Sequence, residues 1–340
     1  MSSPPPFLPV RLFLLAACLT LSASAAWSAE PAAEIRAGII GLDTSHVIAF
    51  TRMINDPSAA EAMAGVTVVA AYPGGSEDLP ASRDRIEGFT NQVREMGVEI
   101  VDSIDALLEK VDVVLLESVD GRKHLEQVRP VLAAGKPVYI DKPVAASLAD
   151  AVEIFHLAEK HGVPCFSSSS LRFAPGIIGM RTDPPVGEIR GCDAYSPCAI
   201  EPTHPDLFWY GVHGVEILFT IMGTGIESVT RVHTEGTDVV VGVWKDGRVG
   251  TYRGIRDGRS DFGATVFGTT GIAPAGPYTG YGPLVEEICR FFQTGEAPVS
   301  AEETIEIFAF MEAAEKSKDL GGSAVSIADV LEKARPADPQ

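Results

Sequence analysis

Residues 36–55 read RAGIIGLDTSHVIAFTRMIN, and this stretch decides the fold. Its first seven residues are typical of a buried β-strand, and the residues after the turn repeat their apolar positions with the spacing of a helix. In dinucleotide-binding folds, this turn carries the fingerprint G-x-G-x-x-G, which lets the backbone approach a pyrophosphate. Here Gly41 is the first glycine, but Asp43 and His46 replace the second and the third.

Asp43 has two opposing implications for this turn. Aspartate is a preferred helix N-cap, so we predict that Asp43 caps the helix that begins at Ser45. A carboxylate at this place also repels a phosphate group, which the free N–H groups of the helix end would otherwise attract. The sequence leaves two alternatives open: a cofactor held by Thr44, Ser45 and their amides, or weak affinity for dinucleotides.

Strands and helices alternate from this turn to residue 168. The predicted strands are 36–42, 66–71, 99–101, 111–116, 138–140 and 164–167, and the predicted helices are 45–55, 83–96, 122–134 and 148–161. The fourth strand is almost continuously apolar, which is typical of a parallel strand covered by helices on both faces. The pattern predicts a Rossmann-type, doubly wound parallel sheet over residues 33–168, with ligands at the carboxyl ends of its strands.

The second half of the chain has a different pattern. Residues 239–243 and 249–253 are predicted strands on either side of the turn Asp246-Gly247, which indicates a tight antiparallel hairpin. Helices are predicted at 208–222, 284–292 and 301–318. Residues 169–335 are therefore predicted to form an α+β domain on an open, mostly antiparallel sheet.

The composition excludes several classes of protein. The chain has 340 residues, of which 46% are hydrophobic, enough for a core in each of two domains. Its 46 acidic and 27 basic side chains give a formal net charge of −19. An acidic excess of this size repels polyphosphate backbones and anionic lipids, so we expect neither a nucleic-acid partner nor charge-driven membrane docking.

Residues 1–26 are predicted to be a secretory signal peptide. Arg11 precedes the apolar run 12–21, and the small residues 22–26 form an A-x-A-like cleavage site. The run is shorter than the roughly 20 apolar residues of a transmembrane helix, so we predict no membrane span. Lipidation at Cys18 is the alternative to cleavage near Trp27. We expect export by the general secretory route, as an unfolded chain without cofactor, to the periplasm or the outside of the cell.

Four cysteines remain after cleavage of this segment. Cys165 and Cys289 lie in apolar patterns and are predicted to be small buried side chains. Cys192 and Cys198 are close enough in sequence to form a disulfide in an oxidising compartment, although their spacing is not a metal signature. Whether they are bridged stays open.

The ends of two predicted strands carry candidate functional residues. Lys142 follows the fifth strand and is fixed by a proline, so we expect its ammonium group in the crevice, where partial burial favours proton exchange near neutral pH. Residues 117–124 follow the fourth strand. The predicted cofactor-binding residues at these ends and at the first turn are Gly41, Leu42, Asp43, Thr44, Ser45, His46, Ser118, Asp120, His124, Asp141 and Lys142.

The helix at 208–222 contributes a second candidate. His213 and Glu216 are three residues apart and share one face of the helix, which suits a proton relay or an orienting pair. A metal site is also conceivable at the strand ends, but no ligand spacing supports one, so no metal is predicted. The residues considered for that metal site are Asp43, His46, Glu117, Asp120 and His124.

Several of these motifs, in this order, resemble the Gfo/Idh/MocA family, which includes glucose-fructose oxidoreductase and inositol dehydrogenase. They are Gly38 to Gly41, His124, Asp141-Lys142-Pro143, Leu171-Arg172-Phe173 with Pro175, and Gly211-x-His213-x-x-Glu216. The resemblance implies a Rossmann domain, a second domain with an open sheet, NAD or NADP as cofactor, and a sugar, polyol or cyclitol as substrate. It also implies a homodimer or homotetramer.

The resemblance assigns roles to individual residues. Lys142 matches the lysine that assists catalysis in the family motif Glu-Lys-Pro, with Asp141 in place of the glutamate. His213 matches the catalytic histidine of D-x-G-x-H-x-x-D, whose first acid falls on Trp209 and whose last falls on Glu216. The phosphate-binding glycines and one catalytic acid are therefore altered in this chain.

The leading hypothesis is an NAD(P)-dependent oxidoreductase with Lys142 as acid or base and His213 as its partner. The predicted substrate contacts are Arg172, Trp209 and Glu216. Two alternatives stay open: a non-oxidative lyase, epimerase or glycosidase with permanently bound NAD, and a non-catalytic carbohydrate-binding protein. The choice between NAD and NADP is also open, because the second strand ends without an acid, and Arg83 and Arg85 follow it.

Overall fold

The computed structural model describes residues 1, 3 and 34–335. The predicted signal peptide, with the alternative lipidation site at Cys18, therefore lies outside the described residues except for Met1 and Ser3. Among the described residues, no helix is both long and apolar enough to cross a membrane.

The first half of the described chain forms a six-stranded, wholly parallel sheet with the strand order β3-β2-β1-β4-β5-β6. Its strands are β1 (Ile35–Ile40), β2 (Val66–Tyr72), β3 (Glu99–Ile100), β4 (Val113–Leu116), β5 (Val138–Ile140) and β6 (Cys165–Ser167). Its helices are α1 (Ser45–Ile54), α2 (Pro80–Arg83), α3 (Ile86–Glu95), α4 (Ile104–Leu108), α5 (Gly121–Ala133) and α6 (Leu148–His161), with a 3-10 turn at Glu61–Met63. The strand order reverses between β1 and β4, where folds of this type bind their ligands.

Alternate residues of the central strands face opposite layers of helices, as a side-chain period of two requires. Ile40 and Leu116 belong to the core that includes α5 and α6, whereas Ile39 and Leu115 pack with α1 and α3. Helix α9 (Gly282–Thr294), which comes late in the chain, also belongs to the second of these cores. Both faces of the sheet are therefore covered, as the apolar strands predict.

The second half forms a seven-stranded sheet with the order β12-β11-β7-β10-β9-β8-β13. Its strands are β7 (Ile189–Pro197), β8 (Ile226–His233), β9 (Thr237–Trp244), β10 (Val249–Ile255), β11 (Gly263–Gly268), β12 (Ile272–Ala275) and β13 (Val325–Ser326). The remaining helices are α7 (Pro175–Thr182), α8 (Val212–Met222), α10 (Ala301–Asp319) and α11 (Ile327–Lys333). Within this second sheet, β7 and β10 are the only described strands that pair in parallel, which confirms the predicted mostly antiparallel sheet.

The hairpin turn between β9 and β10 lies where the sequence predicts it. Gly247 has a φ of +86°, a conformation that a side chain disfavours. Along β9, buried and half-buried residues alternate, so the sheet is covered mainly on one face. Helices α8 and α10 pack on the second sheet, where α8 contacts β7 and α10 contacts β8.

Several local predictions differ from the structure. The helix predicted over 83–96 corresponds to α3, which begins at Ile86, and a separate short helix, α2, ends at Arg83. The helix predicted over 208–222 begins with a turn of π-helix, Leu207–Gly211, before α8. Helices α4, α7 and α11 were not predicted, because runs of five to eight residues are too short to show a clear helical period.

Cys192 and Cys198 are free thiols in the structure, and both are buried. Cys192 lies within β7, and Cys198 follows its last residue. Six residues of extended strand separate two cysteines much further than a disulfide allows. The two thiols therefore act as small apolar side chains of the core.

Candidate active site

A cavity of about 330 Å³ lies at the carboxyl ends of the first sheet, against residues of the second half. The residues that line it include Thr44, Ser45, His46, Arg85, Lys142, Trp209 and His213. They come from the start of α1, the turn after α2, the end of β5 and the segment that leads into α8. The position agrees with the rule that ligands of open parallel sheets bind at the carboxyl ends of the strands.

Lys142 and His213 line the same cavity, although they are 71 positions apart in the chain. Tyr210 is near both of them, because its ring centroid is 6.0 Å from Lys142 Nζ and 5.0 Å from the centre of the His213 ring. The structure thus brings together the two residues that the sequence proposes as the catalytic pair.

His213 is held in one orientation. Its Nδ1 lies 2.7 Å from Ser169 Oγ, and Phe262 packs edge-on against its ring. Burial, and after it the charge of Lys142, holds the pKa of His213 well below its usual value. The imidazole is therefore neutral at pH 7, and Nε2 is the nitrogen that hydrogen bonds among the described residues leave available.

The predicted cap of α1 is wrong. Thr44 is the N-cap, and its Oγ1 accepts a hydrogen bond from the His46 N–H at 3.4 Å. The Asp43 carboxylate is turned away and accepts hydrogen bonds from Ser82 Oγ at 2.6 Å and from the Val119 N–H at 2.9 Å. Burial raises the pKa of Asp43. Because Ser82 and Val119 bind the Asp43 carboxylate, it does not cap the N-terminus of α1. The expected repulsion between Asp43 and a phosphate at that helix end is therefore weaker.

Asp120 is bound by the chain itself. It accepts hydrogen bonds from Ser76 Oγ at 2.6 Å and from Arg122 Nη2 at 2.7 Å, and Arg122 also pairs with Asp78. His204 Nε2, from the second half of the chain, lies 3.3 Å from its other oxygen. The predicted role of Asp120 as a direct cofactor contact does not agree with this set of partners.

His124 is likewise a structural residue. It is fully buried, with Nε2 2.7 Å from the Ser118 carbonyl oxygen and Nδ1 3.2 Å from that of Val144. Burial lowers the pKa of His124, so it stays neutral. Gly41 and Leu42 are buried beneath the cavity, and only Thr44, Ser45 and His46 of the first turn reach it.

Arg172 and Glu216 are predicted as substrate contacts, but the structure places both outside the cavity. Arg172 Nε donates to Glu216 at 2.8 Å, and its Nη1 donates to Glu303 on α10 at 2.7 Å. Glu216 therefore pairs with Arg172 and with Ser168, not with His213. Trp209, the third predicted contact, does line the cavity.

One wall of the cavity is aromatic, and sequence analysis missed most of it. Tyr210, Phe262, Tyr278 and Tyr281 join Trp209 there. Two of them belong to the segment GPYTGYGP before α9, in which the density of tyrosine and glycine is the signal that could have pointed to a binding loop. Burial raises the pKa of Tyr281 to about 12, so its hydroxyl keeps its proton.

The residues at this edge of the sheet fit the predicted dinucleotide. Two buried polar atoms, Ser118 Oγ and Gln127 Oε1, have no hydrogen-bond partner among the described residues. Gln127 lies close to Gly74 in the turn after β2, and Ser118 lies directly against Gly41. Thr44, Ser45, Arg85 and Lys142 would hold the cofactor, because they line the cavity at a helix N-terminus that favours phosphate.

Comparisons with known proteins support a dinucleotide as the cofactor. Residues 35–169 match the family model Gfo/Idh/MocA, described as an oxidoreductase family with an NAD-binding Rossmann fold. No curated protein matches the sequence.

Solved structures share the fold over both halves. A protein from Thermotoga maritima described as a probable dehydrogenase is 21% identical, with a TM-score of 0.71 over 87% of this chain and 100% of its own. The scyllo-inositol dehydrogenase of Lactobacillus casei, solved with NAD(H) and scyllo-inositol, is 14% identical, with a TM-score of 0.70 over 86% of this chain and 99% of its own. The myo-inositol dehydrogenase of the same organism, solved with NAD(H) and myo-inositol, is 16% identical, with a TM-score of 0.68 over 86% of this chain and 96% of its own.

The family match covers every strand of the first sheet, from β1 to β6, and the likeness to solved structures extends the common fold to the second sheet. The first domain, residues 35–169, is therefore similar to the Gfo/Idh/MocA family of oxidoreductases, which is described by its NAD-binding Rossmann fold.

Proposed function

We propose that the protein is an NAD(P)-dependent oxidoreductase that acts on a hydroxyl group of a sugar, polyol or cyclitol. The observation that carries the proposal is that Lys142 and His213 line one cavity at the cofactor edge of the sheet. Bound NAD(P) supplies the hydride acceptor. The protein must then remove a proton from the reacting hydroxyl and hold the substrate in place.

Lys142 and His213 are suited to these two tasks. In its neutral form, the Lys142 amine accepts the hydroxyl proton, and in its charged form it returns the proton in the reverse reaction. His213 is neutral and fixed through Ser169, so its Nε2 can hold the same substrate oxygen without competing for the proton. A positioned acid or base of this kind typically contributes a factor of about 10² to 10⁴ in rate.

The aromatic wall supports a sugar-like substrate. Trp209, Tyr210 and Tyr281 present apolar ring surface beside hydroxyl groups, and a cyclic polyol likewise has apolar C–H faces and a polar rim. The two inositol dehydrogenases named above were solved with cyclic polyols, which supports the same class of substrate for this chain.

Titration with NADH and NADPH, followed by nicotinamide fluorescence, tests the cofactor part of the proposal. We expect saturable binding of at least one of them. A panel of sugars, polyols and cyclitols is then screened for reduction of the bound cofactor. If neither nucleotide binds at millimolar concentration, the proposal is wrong.

Lys142→Ala tests the catalytic part. We expect kcat on the substrate found by the screen to fall by about 10² or more, because the lysine acts on the proton. Lys123→Ala is the matched control, since Lys123 is an exposed lysine of α5 whose one ion pair with the described residues is a 3.8 Å contact with Glu126. Equal rates for the wild type and Lys142→Ala would exclude the assigned role.

We also propose that the protein is exported and forms a homodimer or homotetramer. The signal-like segment 1–26 supports export, and the sparsely covered face of the second sheet supports association. A native mass spectrum of protein produced with the full sequence measures both properties. We expect a chain that begins near Trp27 and an assembly of two or four subunits.

A further inference from the structure

Beneath the cavity, three side chains from three elements converge on a space that the proposed function does not use. His46 is the second residue of α1, Glu117 follows β4, and Asp141 follows β5. One possible ligand atom from each residue lies within 4.8 Å of the other two. His46 Nδ1 is 2.6 Å from Asp141 Oδ2 and 4.0 Å from Glu117 Oε2.

Glu117 is the unexplained member of this cluster. Its side chain is 1% exposed, and neither carboxylate oxygen has a hydrogen-bond partner among the described residues. A buried carboxylate without a partner is strongly unfavourable. Protonation does not remove the problem, because the O–H of a carboxylic acid needs an acceptor within hydrogen-bond distance. The free oxygens therefore call for a bound group that is not part of the chain.

The local charge favours a cation as that group. The charges of Asp141 and Asp43 act on Glu117 and are opposed by Lys142, and the charge of Asp141 is opposed by His46 and Lys142. His46 binds a metal only as the neutral imidazole, so the two carboxylates of the cluster, when ionised, present two negative charges at the site. A divalent cation would balance them.

We propose that His46, Glu117 and Asp141 form a binding site for a divalent transition-metal ion of the Zn²⁺ or Mn²⁺ type. One imidazole nitrogen with two carboxylates suits such ions, whereas Mg²⁺ prefers oxygen ligands and retains its waters. On binding, the hydrogen bond between His46 and Asp141 is replaced by bonds from both residues to the metal. Three protein ligands leave a coordination position open for water or for a hydroxyl oxygen of the substrate.

The surroundings hold the ligands in place. The His46 ring stacks on Phe50 at 5.4 Å with an interplanar angle of 6°, and Tyr281 contacts it edge-on at 4.9 Å. Asp141 Oδ1 accepts a hydrogen bond from the Tyr139 hydroxyl at 3.3 Å, which leaves Oδ2 for the metal. Contacts of this kind orient metal ligands and tune their affinity. His46 also lines the cavity, so an ion at this site would lie at its floor.

The test measures metal binding by the purified full-length protein in the absence of nucleotide and substrate. Protein is first dialysed against a chelator and then titrated with Zn²⁺, Mn²⁺ or Mg²⁺, with bound metal measured by plasma mass spectrometry after removal of free ions. We expect one equivalent of Zn²⁺ or Mn²⁺ per chain, weaker binding of Mg²⁺, and a higher melting temperature with the bound ion.

Two variants locate the ion. Glu117→Gln and His46→Gln each remove one ligand, and each is expected to lower the affinity for the ion at least tenfold. Glu87→Gln, on the exposed face of α3, removes the same charge elsewhere and should bind as the wild type does. Circular dichroism checks that each variant is folded, and if Glu117→Gln is not, His46→Gln alone carries the test.

Two results would overturn the proposal. If the wild type binds neither Zn²⁺ nor Mn²⁺, the space belongs to a buried water. If Glu117→Gln binds the ion as tightly as the wild type, the ion occupies another place. The metal site shares its cavity with the proposed oxidoreductase, but metal content is measured without nicotinamide, so failure of one proposal is distinguishable from failure of the other.

Discussion

Arg85 and Arg83 are two residues apart, but only Arg85 lines the cavity, whereas the Arg83 side chain is 52% exposed. A charge-assisted hydrogen bond to phosphate contributes about 1.5–3 kcal/mol, so Arg85→Ala should weaken nucleotide binding about tenfold or more. Fluorescence titration with NADH and NADPH measures the loss, with Arg83→Ala as control. A loss for both nucleotides places Arg85 at the pyrophosphate, and a loss for NADPH alone places it at the 2′-phosphate. Unchanged affinity for both would contradict a cofactor contact.

The location of Lys142 and His213 at the cavity could be predicted from the sequence. Lys142 directly follows a buried strand, and His213 lies near the start of a predicted helix. The partners of charged residues were harder to predict. Glu216 faces Arg172 instead of His213, and Asp43 faces Ser82, since each carboxylate binds the nearest donors that the tertiary fold supplies. Such donors lie tens of residues away in the chain, so the spacing of neighbouring residues in the sequence cannot predict them.

The turn between β1 and α1 depends on Gly41, which has a φ of +91°. A Cβ atom at this position would overlap the backbone nitrogen and Cα of Ser118 at the end of β4. We therefore expect Gly41→Ala to lower the free energy of unfolding by about 3 kcal/mol or more, the sum of backbone strain and overpacking. Gly65→Ala is the control, because Gly65 has a φ of +81° but nothing within 4 Å, so about 1–2 kcal/mol is expected. Urea unfolding measures both, and equal losses would contradict the close contact.

Most elements could be predicted from the sequence, because their apolar periods are long. The helix over Leu148–His161 has the predicted bounds, and Gly162 in the left-handed conformation ends it. The break between α2 and α3 could not be predicted, since the polar residues at 84 and 85 suit an exposed helix equally well. The arrangement of β7 beside both β10 and β11 likewise depends on pairing between distant strands, which no local pattern encodes.

At the scale of the molecule, buried ion pairs connect segments that are far apart in sequence. Arg172 joins α8 to α10 through Glu216 and Glu303, and Asp120 lies beside His204 from the second half of the chain. Pairs of this kind contribute little net stability when complete, but breaking one leaves an unpaired buried charge. The relative placement of distant segments should therefore respond strongly to the charge of single residues.

The stability that the ionised Asp120 contributes should depend on pH. Burial alone would raise its pKa, but the nearby His204 ring and the hydrogen bonds from Arg122 and Ser76 hold the pKa of Asp120 well below its usual value. A folded pKa below the unfolded value of about 3.9 means that the stabilisation is complete above roughly pH 5 and is lost as pH falls below about 4. Asp120→Asn should therefore lower the free energy of unfolding by about 2 kcal/mol at pH 7, and by less at acidic pH.

Urea unfolding of the wild type and of Asp120→Asn, at neutral pH and near pH 3.5, measures how the difference between them changes. Asp78→Asn is the matched control, because Asp78 pairs with the same arginine but its side chain is 64% exposed, so water screens the interaction. We expect only a small loss from Asp78→Asn at either pH. If the loss from Asp120→Asn were equally large under both conditions, its cause would be the shape of the amide side chain. The buried negative charge would then have no part in joining the two halves of the molecule.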